Sequence, residues 1–224
     1  MRKSNLLLAG GALALMAASP AMAMDWTDPY IQFGGGFSGF SPTLTDLTTD
    51  NGGYTPSSTA EPGRSMNFNA ALGGTLMSGL RGEVGVTVMN GSGNFNVQGE
   101  GSGVIGVNAT TFALMGNIWK DFEVSNNISL HIGGGLGAGY VRASIDSNSG
   151  PTSAGGVGLA YMAGIGGAYA LNNGGAITLD FRLNGITGNL GSVEAQTSWE
   201  TIGGTLSTGP SAGINIGIRI PTGG

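Results

Sequence analysis

Six ionisable residues share one arrangement. Arg81 and Glu83 are two residues apart, as are Asp180 and Arg182, while Asp121 and Arg219 sit on similarly alternating stretches. A spacing of two puts both members of a pair on one face of a strand. Charges gathered away from water must pair, because an isolated buried ion is costly. Such a set can lock an interior with salt bridges or line a narrow gated path for ions. His131 is the single histidine, and Ser129 lies two residues before it on the same face. A base of this kind acts only within hydrogen-bond reach of a correctly placed nucleophile. The pair falls at the start of its strand, and lone Ser and His residues are common inside barrels, so no catalytic residue is assigned. Asp46, Asp50 and Asn51 offer oxygens but lack the spacing of a calcium loop. Gly34 to Gly36 are not followed by a lysine-bearing helix start, as a phosphate loop would require. No cofactor or metal is expected.

Composition narrows the classes further. The 224 residues include 45 Gly, no Cys and only 9% charged residues, against about 25% charged in an ordinary soluble domain. The glycines follow no three-residue period, which excludes collagen. The 40% apolar content and the low charge argue against disorder. A net charge of −5 supplies no basic footprint for nucleic acid. Without cysteine there are no disulfides, zinc–thiolate sites or thiol catalysis.

The elements that carry the charges alternate with period two, the signature of strands. Eight stretches pass this test. The first sets Ile31, Phe33 and Phe37 against Gln32 and Ser38. The second sets Met66, Phe68, Ala70, Leu72 and Leu76 against Asn67, Asn69 and Thr75, and the third Leu80, Val84, Val86 and Val88 against Arg81, Glu83 and Thr87. In the fourth, Phe112, Leu114, Ile118 and Phe122 oppose Thr111, Asn117, Trp119 and Asp121. In the fifth, Ile128 to Tyr140, apolar residues oppose Ser129, His131 and a row of glycines. The sixth, Val157 to Leu171, opposes its larger residues with Gly, Ala and Met162. The seventh alternates Ile177, Leu179, Phe181 and Leu183 with Thr178, Asp180, Arg182 and Asn184. The eighth alternates Ile214, Ile216, Ile218 and Ile220 with Asn215, Gly217 and Arg219.

So few charges would leave a water-facing exterior bare. Most of those on strands, Glu123 included, fall on the polar face. Turning that face inward and the apolar face toward lipid accounts for both facts, and closing the sheet pairs every backbone group where there is no water. The expected fold is all-β: an eight-stranded antiparallel up-and-down transmembrane β-barrel of the bacterial outer-membrane kind. Short turns near Gly79, at Ser125 to Asn127 and at Asn172 to Gly174 alternate with longer polar connections. These are Ser41 to Arg64, Asn90 to Asn108, Asp146 to Gly155 and Asn189 to Gly209. Short turns belong on the periplasmic side and long loops outside, which places both chain ends in the periplasm. The outer loops carry Asp46, Asp50, Glu61, Glu100, Asp146, Glu194 and Glu200 against Arg64, an acidic rim. Phe33, Phe112, Phe122, Tyr140, Tyr161 and Tyr169 are expected to form interfacial girdles.

Residues 1–23 read as a cleaved export signal: Arg2 and Lys3, an apolar stretch from Leu6 to Ala18, then Ala21-Met22-Ala23 as the small-x-small site. Residues 24–224 are then expected to form a single barrel domain.

The run from Asn117 to Phe122 (NIWKDF), followed after a short turn by Ile132 to Tyr140 (IGGGLGAGY), resembles the fourth and fifth strands of small outer-membrane surface-antigen barrels. Ala163 to Tyr169 with Leu179 to Arg182 resembles their sixth and seventh strands, and Ile214 to Arg219 their last. The likeness covers the second half well and the first half by pattern. It implies the OmpA-like or opacity-protein eight-stranded fold, a family that supports adhesion, envelope integrity and small pores. Such proteins usually finish on an aromatic residue read by the barrel-assembly machinery, whereas this chain finishes Ile220-Pro221-Thr222-Gly223-Gly224. The assembly signal is therefore expected either further inward or in a variant form. The peptidoglycan anchoring of longer OmpA-like proteins is not expected.

A non-enzymatic outer-membrane protein with an envelope-structural and surface-contact role is the first expectation. The interior charge network is Arg81, Glu83, Asp121, Asp180, Arg182 and Arg219. Its partners would be outer-membrane lipid and lipopolysaccharide, the assembly machinery during insertion, and a surface partner met through the outer loops. The alternatives are a narrow porin-like channel through the space that Gly133, Gly135, Gly137, Gly139, Gly158, Gly164 and Gly166 leave unless Met115, Trp119 and Met162 fill it, and a lipid-modifying enzyme built on His131.

Overall fold

The computed structural model describes residues 26–49, 57–98, 102–147, 150–188, 192–196 and 201–222. The expected export signal, 1–23, lies outside the described residues. The strands, in chain order, are β1 (Thr27–Phe40), β2 (Pro42–Thr49), β3 (Ser57–Met77), β4 (Leu80–Gln98), β5 (Ser102–Ser125), β6 (Ile128–Ser147), β7 (Gly150–Ala170), β8 (Ala176–Ile186), β9 (Ser192–Gln196), β10 (Thr201–Thr208) and β11 (Ser211–Pro221). Eight of them form a closed antiparallel barrel in the order β1-β11-β8-β7-β6-β5-β4-β3. β1 closes it by pairing with β11 on one side and β3 on the other. Each of the eight alternating stretches falls on one of these strands.

The three expected tight turns join β3 to β4, β5 to β6 and β7 to β8. Gly79 and Gly174 take positive φ there, 67° and 80°, a region open to glycine without a steric penalty. The opposite end differs from expectation. Asn90 to Asn108 and Asp146 to Gly155 are not loops: β4 and β5 stay paired out to Gln98 and Ser102, and β6 and β7 out to Ser147 and Gly150. Ser41 to Arg64 contains β2 and the first part of β3, and Asn189 to Gly209 contains β9 and β10. β2, β10 and β9 make a separate three-stranded sheet.

Side-chain polarity explains both the barrel and its extension. In the lower part, Phe33, Phe68, Ile118, Leu136, Ile165, Leu179 and Ile216 are exposed on the outside. Gln32, Asn67, Thr178 and Asn215 are buried inside. Further up, the pattern inverts. Phe95, Ile105, Val107, Val141, Ala143 and Ile145 are buried in an apolar cluster inside the barrel together with Phe40, and Leu47 of β2 packs against it. The outer faces there carry exposed Asn90, Ser92, Asn94, Thr110 and Arg142. On β5 the odd-numbered residues from 105 to 121 point inward, yet the large apolar residues move from odd (105, 107) to even (112, 114, 118). Water therefore surrounds one part of the strand and hydrocarbon the other.

The dimensions agree. At about 3.3 Å per residue and a tilt of about 40°, the 24 residues of β5 span on the order of 60 Å. The apolar band of such barrels is only roughly 25 Å tall, so the strands continue well beyond it as a water-facing head with its own core. Of the expected girdle, Phe33, Phe122, Tyr140 and Tyr169 are exposed, and Phe112 and Tyr161 are half-buried. Glu123 departs from the inward set: it is exposed beside the β5–β6 turn, where the register shifts between Glu123 and Ser125.

The head core is testable by truncation. Phe95→Ala should lower stability by about 3 kcal/mol or more through lost burial and a residual cavity, whereas exposed Asn94→Ala should stay within about 0.5 kcal/mol. Urea unfolding of the refolded barrel in detergent measures both.

Candidate functional site

The inward charges sit toward the tight-turn end of the barrel, on β4, β5, β8 and β11. Arg81 and Glu83 project together from β4. Arg81 binds Asp121 of β5 through two parallel bonds, Nε to Oδ2 at 2.5 Å and Nη2 to Oδ1 at 3.0 Å. Its Nη1 donates to Glu83 Oε1 at 2.9 Å and to the Tyr30 hydroxyl at 2.7 Å. The Tyr30 hydroxyl in turn donates to Glu83 Oε1 at 2.7 Å. Glu83 Oε2 accepts from Trp119 Nε1 at 2.8 Å. A two-pronged guanidinium–carboxylate pair is among the stronger polar contacts a protein makes, and each carboxylate here meets at least two donors.

A second group lies on the other side of Trp119. Asp180 binds His131 (Nε2 to Oδ1, 2.6 Å) and accepts from Arg182 Nη2 at Oδ2, also 2.6 Å. Trp119, 2% exposed, joins the groups: the His131 ring meets it edge-on at 5.3 Å, and the Arg182 guanidinium lies 5.5 Å from its centroid. Arg219 stacks 4.8 Å from the Tyr30 ring centroid, and among the described residues it forms no ion pair. All six expected network residues thus face the interior. Five form ion pairs in two groups, and the sixth joins through an aromatic ring.

Glycines make these reaches possible. Tyr30, Gly73 and Glu83 are successive neighbours across β1, β3 and β4, and a Cβ on Gly73 would lie 2.6 Å from the Tyr30 hydroxyl and 2.8 Å from Glu83 Cγ. His131, Gly166 and Asp180 repeat the device across β6, β7 and β8. A Cβ on Gly166 would strike Asp180 Oδ1 and lie 2.6 Å from His131 Nε2. Trp119 extends across Gly133 and Gly164 toward Arg182 in the same way. The bare inner faces of β6 and β7 are therefore occupied by side chains from neighbouring strands. Trp119 is an expected filler. Ile186, which packs over Gly139 and Gly158, was not foreseen, nor was the part Tyr30 plays.

Described side chains occupy the interior in two layers. Paired ions and Trp119 fill the lower part and apolar side chains the upper part. A cavity between them, touching Phe40, Met115, Ala160 and Ile186, has a volume of about 30 Å³, room for a water or two and too small for a solute. His131 spends its Nε2 on Asp180 rather than on Ser129. Among the described residues no three His, Cys, Asp or Glu side chains gather to hold a metal ion. Of the expected acidic rim, Asp46 and Glu61 are exposed. Asp50, Glu100 and Glu200, with the side chains of Asp146 and Glu194, lie outside the described residues, as does Asn51. Arg142, exposed on the outer face of β6, adds a cation the loop reading had not counted.

A closed antiparallel barrel, apolar outside and ion-paired within, is the architecture of an outer-membrane β-barrel protein, since it alone satisfies a sheet's backbone in lipid. The chain belongs to the outer membrane protein beta-barrel domain family, which it matches over residues 6–218, and its place is the outer membrane. No curated protein matches it. Among solved structures it is similar to outer membrane protein OprG from Pseudomonas aeruginosa, with 13% identity, TM-score 0.58, and 88% of this chain and 98% of that one covered. Neisserial surface protein A (14%, TM-score 0.49, 88% and 99% covered) and the attachment invasion locus protein Ail of Yersinia pestis (14%, 0.40, 87% and 100%) are further matches. At these identities the likeness is one of fold.

Breaking one group from either side tests the network. Asp180→Ala leaves Arg182 buried without its carboxylate and should cost about 3–5 kcal/mol. Gly166→Val should destabilise comparably by driving His131 and Asp180 apart. Gly167→Ala, whose Cβ would meet nothing closer than 3.6 Å, should be near neutral. Urea unfolding followed by tryptophan fluorescence ranks the three.

Proposed function

We propose that the protein is a non-conducting, non-enzymatic barrel that anchors a rigid head at the cell surface, where the head makes the functional contacts. The observation that carries this reading is the polarity reversal along β4, β5 and β6. A chain that needed only to span the membrane would gain nothing from strands continuing as a water-facing β-structure with a buried core. Contact residues are characteristically presented on segments that a stiff scaffold holds away from the bulk of the fold. Here the scaffold is the strand extension, with the β2-β10-β9 sheet beside it. The ion-paired interior and the small cavity above it support a plug rather than a path. This favours the surface role over the porin-like alternative. In this reading the tight turns and both chain ends face the periplasm. The asymmetry of the connections supports that orientation, and Thr222, whose N–H donates to the Pro29 carbonyl at 2.8 Å, sets the start of β1 beside the end of β11.

Two measurements test the proposal. The chain has no cysteine, so single substitutions report topology cleanly. Asn94→Cys should react with a bulky impermeant maleimide on intact cells, and Asn127→Cys only after the outer membrane is opened; the reverse result would invert the orientation. Refolded protein in planar bilayers should show no unitary conductance, and a reproducible conductance would move it to the transport class.

A further inference from the structure

The outer wall of β3, β4, β5 and β6 carries a groove of about 1,110 Å³ at the level where the polarity of the strands inverts. Three cross-strand rows define it. The lowest, Phe68–Val88–Phe112–Tyr140, belongs to the apolar belt. The next is Met66–Asn90–Thr110–Arg142, and the third Arg64–Ser92–Asn108–Ser144. Within one step along the wall the surface changes from aromatic to amide, hydroxyl and guanidinium, with Thr110 Oγ1 donating to Asn90 Oδ1 at 2.9 Å. Arg64 and Arg142 flank the groove on β3 and β6, three strand spacings and two residues along the strand apart, or about 16 Å. Both are exposed, and neither forms an ion pair among the described residues. The nearest described acid in register, Glu61, lies opposite Asn94 further out, and its Oε1 accepts from Asn96 Nδ2 at 2.7 Å.

We infer that this groove binds the phosphate-bearing saccharide headgroup of an outer-leaflet glycolipid, with Arg64 and Arg142 as phosphate ligands and the hydroxyls and amides between them facing the sugar. Charge and position select this occupant. Two guanidiniums without an ion pair among the described residues, each with a flat fork of donors, suit phosphate oxygens. The volume, slightly above the roughly 300–1,000 Å³ of small-ligand pockets, leaves room for a headgroup of more than one sugar. The groove also continues directly into the apolar belt, so a lipid whose acyl chains already cover Phe68, Phe112 and Tyr140 holds its headgroup there at high effective concentration. A soluble anion has no such advantage. The inference rests on the orientation proposed above, which puts this level at the outer leaflet.

Native mass spectrometry of the full-length protein in detergent provides the test, with three probes: bisphosphorylated lipid A, the same lipid dephosphorylated, and inorganic phosphate. The bisphosphorylated lipid should stay bound, the dephosphorylated form should be retained far less, and millimolar phosphate should not displace the lipid. At about fivefold per surface cation, Arg64→Gln with Arg142→Gln should weaken retention roughly 25-fold. The double Lys variant should keep most of it, and Lys120→Gln, near the tight-turn end, should change nothing. Heat-modifiable migration confirms that each variant is folded. Equal retention of the two lipids, displacement by free phosphate, or an unchanged double Gln variant overturns the inference. The cysteine labelling reports the orientation separately. Surface-exposed Asn94 with no lipid preference removes the groove alone, whereas a periplasmic Asn94 removes the orientation and with it the outer-leaflet assignment.

Discussion

Every feature of this barrel follows from one constraint: strand parity is fixed by covalent geometry, while the surroundings change along the barrel axis. Residue i and residue i+2 share a face regardless of what lies outside. The backbone of a membrane-spanning sheet must be fully paired, so the wall cannot break at the membrane surface and restart in a new phase. The only freedom left is in the side chains. On β5 they change from Ile105, Val107 and Ala109 pointing in to Phe112, Leu114 and Ile118 pointing out, without a break in the ladder between Ser102 and Glu123. The interior thus divides into an apolar compartment where the exterior is wet and an ionic one where the exterior is oil.

The ionic compartment obeys a second constraint, the width of the lumen. Eight strands leave an interior that side chains just fill, so buried ions must find partners across the wall rather than in water. Placing a glycine between two partners is the solution used here twice, at Gly73 for Tyr30 and Glu83 and at Gly166 for His131 and Asp180. The inward face of β7 is Ala and Gly apart from Met162 between Ala160 and Ala170. It acts as a floor over which its neighbours' side chains extend. The high glycine content and the scarcity of charge are therefore two sides of one packing problem.

Much of this was legible in the sequence. The eight spanning strands were, because apolar-out alternation is strong in Ile214 to Ile220 or Ile177 to Leu183 and nothing competes with it. The inward placement of Arg81, Glu83, Asp180 and Arg182 followed from the same parity. The head was not, because polar residues such as Asn94, Asn96 and Asn108 between Asn90 and Asn108 look like loop composition when only the apolar-out phase is sought. The opposite phase is present in Phe95, Ile105 and Val107, one residue out of step with the belt. The partners of each charge were also beyond reach. Which carboxylate meets Arg81 depends on cross-strand register, and the joining role of Trp119 depends on Gly133 in the adjacent strand β6 and Gly164 one strand further on.

The ion pairs do more than fill space, because they penalise wrong registers. A strand slipped by one residue turns every side chain to the opposite face. For β4 that would send Arg81 and Glu83 into hydrocarbon, and for β8 Asp180 and Arg182. An arginine facing lipid costs about 2–4 kcal/mol at the midplane and less toward the interface, and its abandoned carboxylate adds to that. The apolar contacts on the outside supply no comparable penalty, since lipid accepts Ile, Leu and Phe at any height in the belt. A wall this rich in glycine also has few cross-strand side-chain pairs to define its alignment. Specificity of closure therefore rests mainly on the interior charges, which is a sufficient reason for a barrel with so few charged residues to turn Arg81, Glu83, Asp121, Asp180, Arg182 and Arg219 inward together.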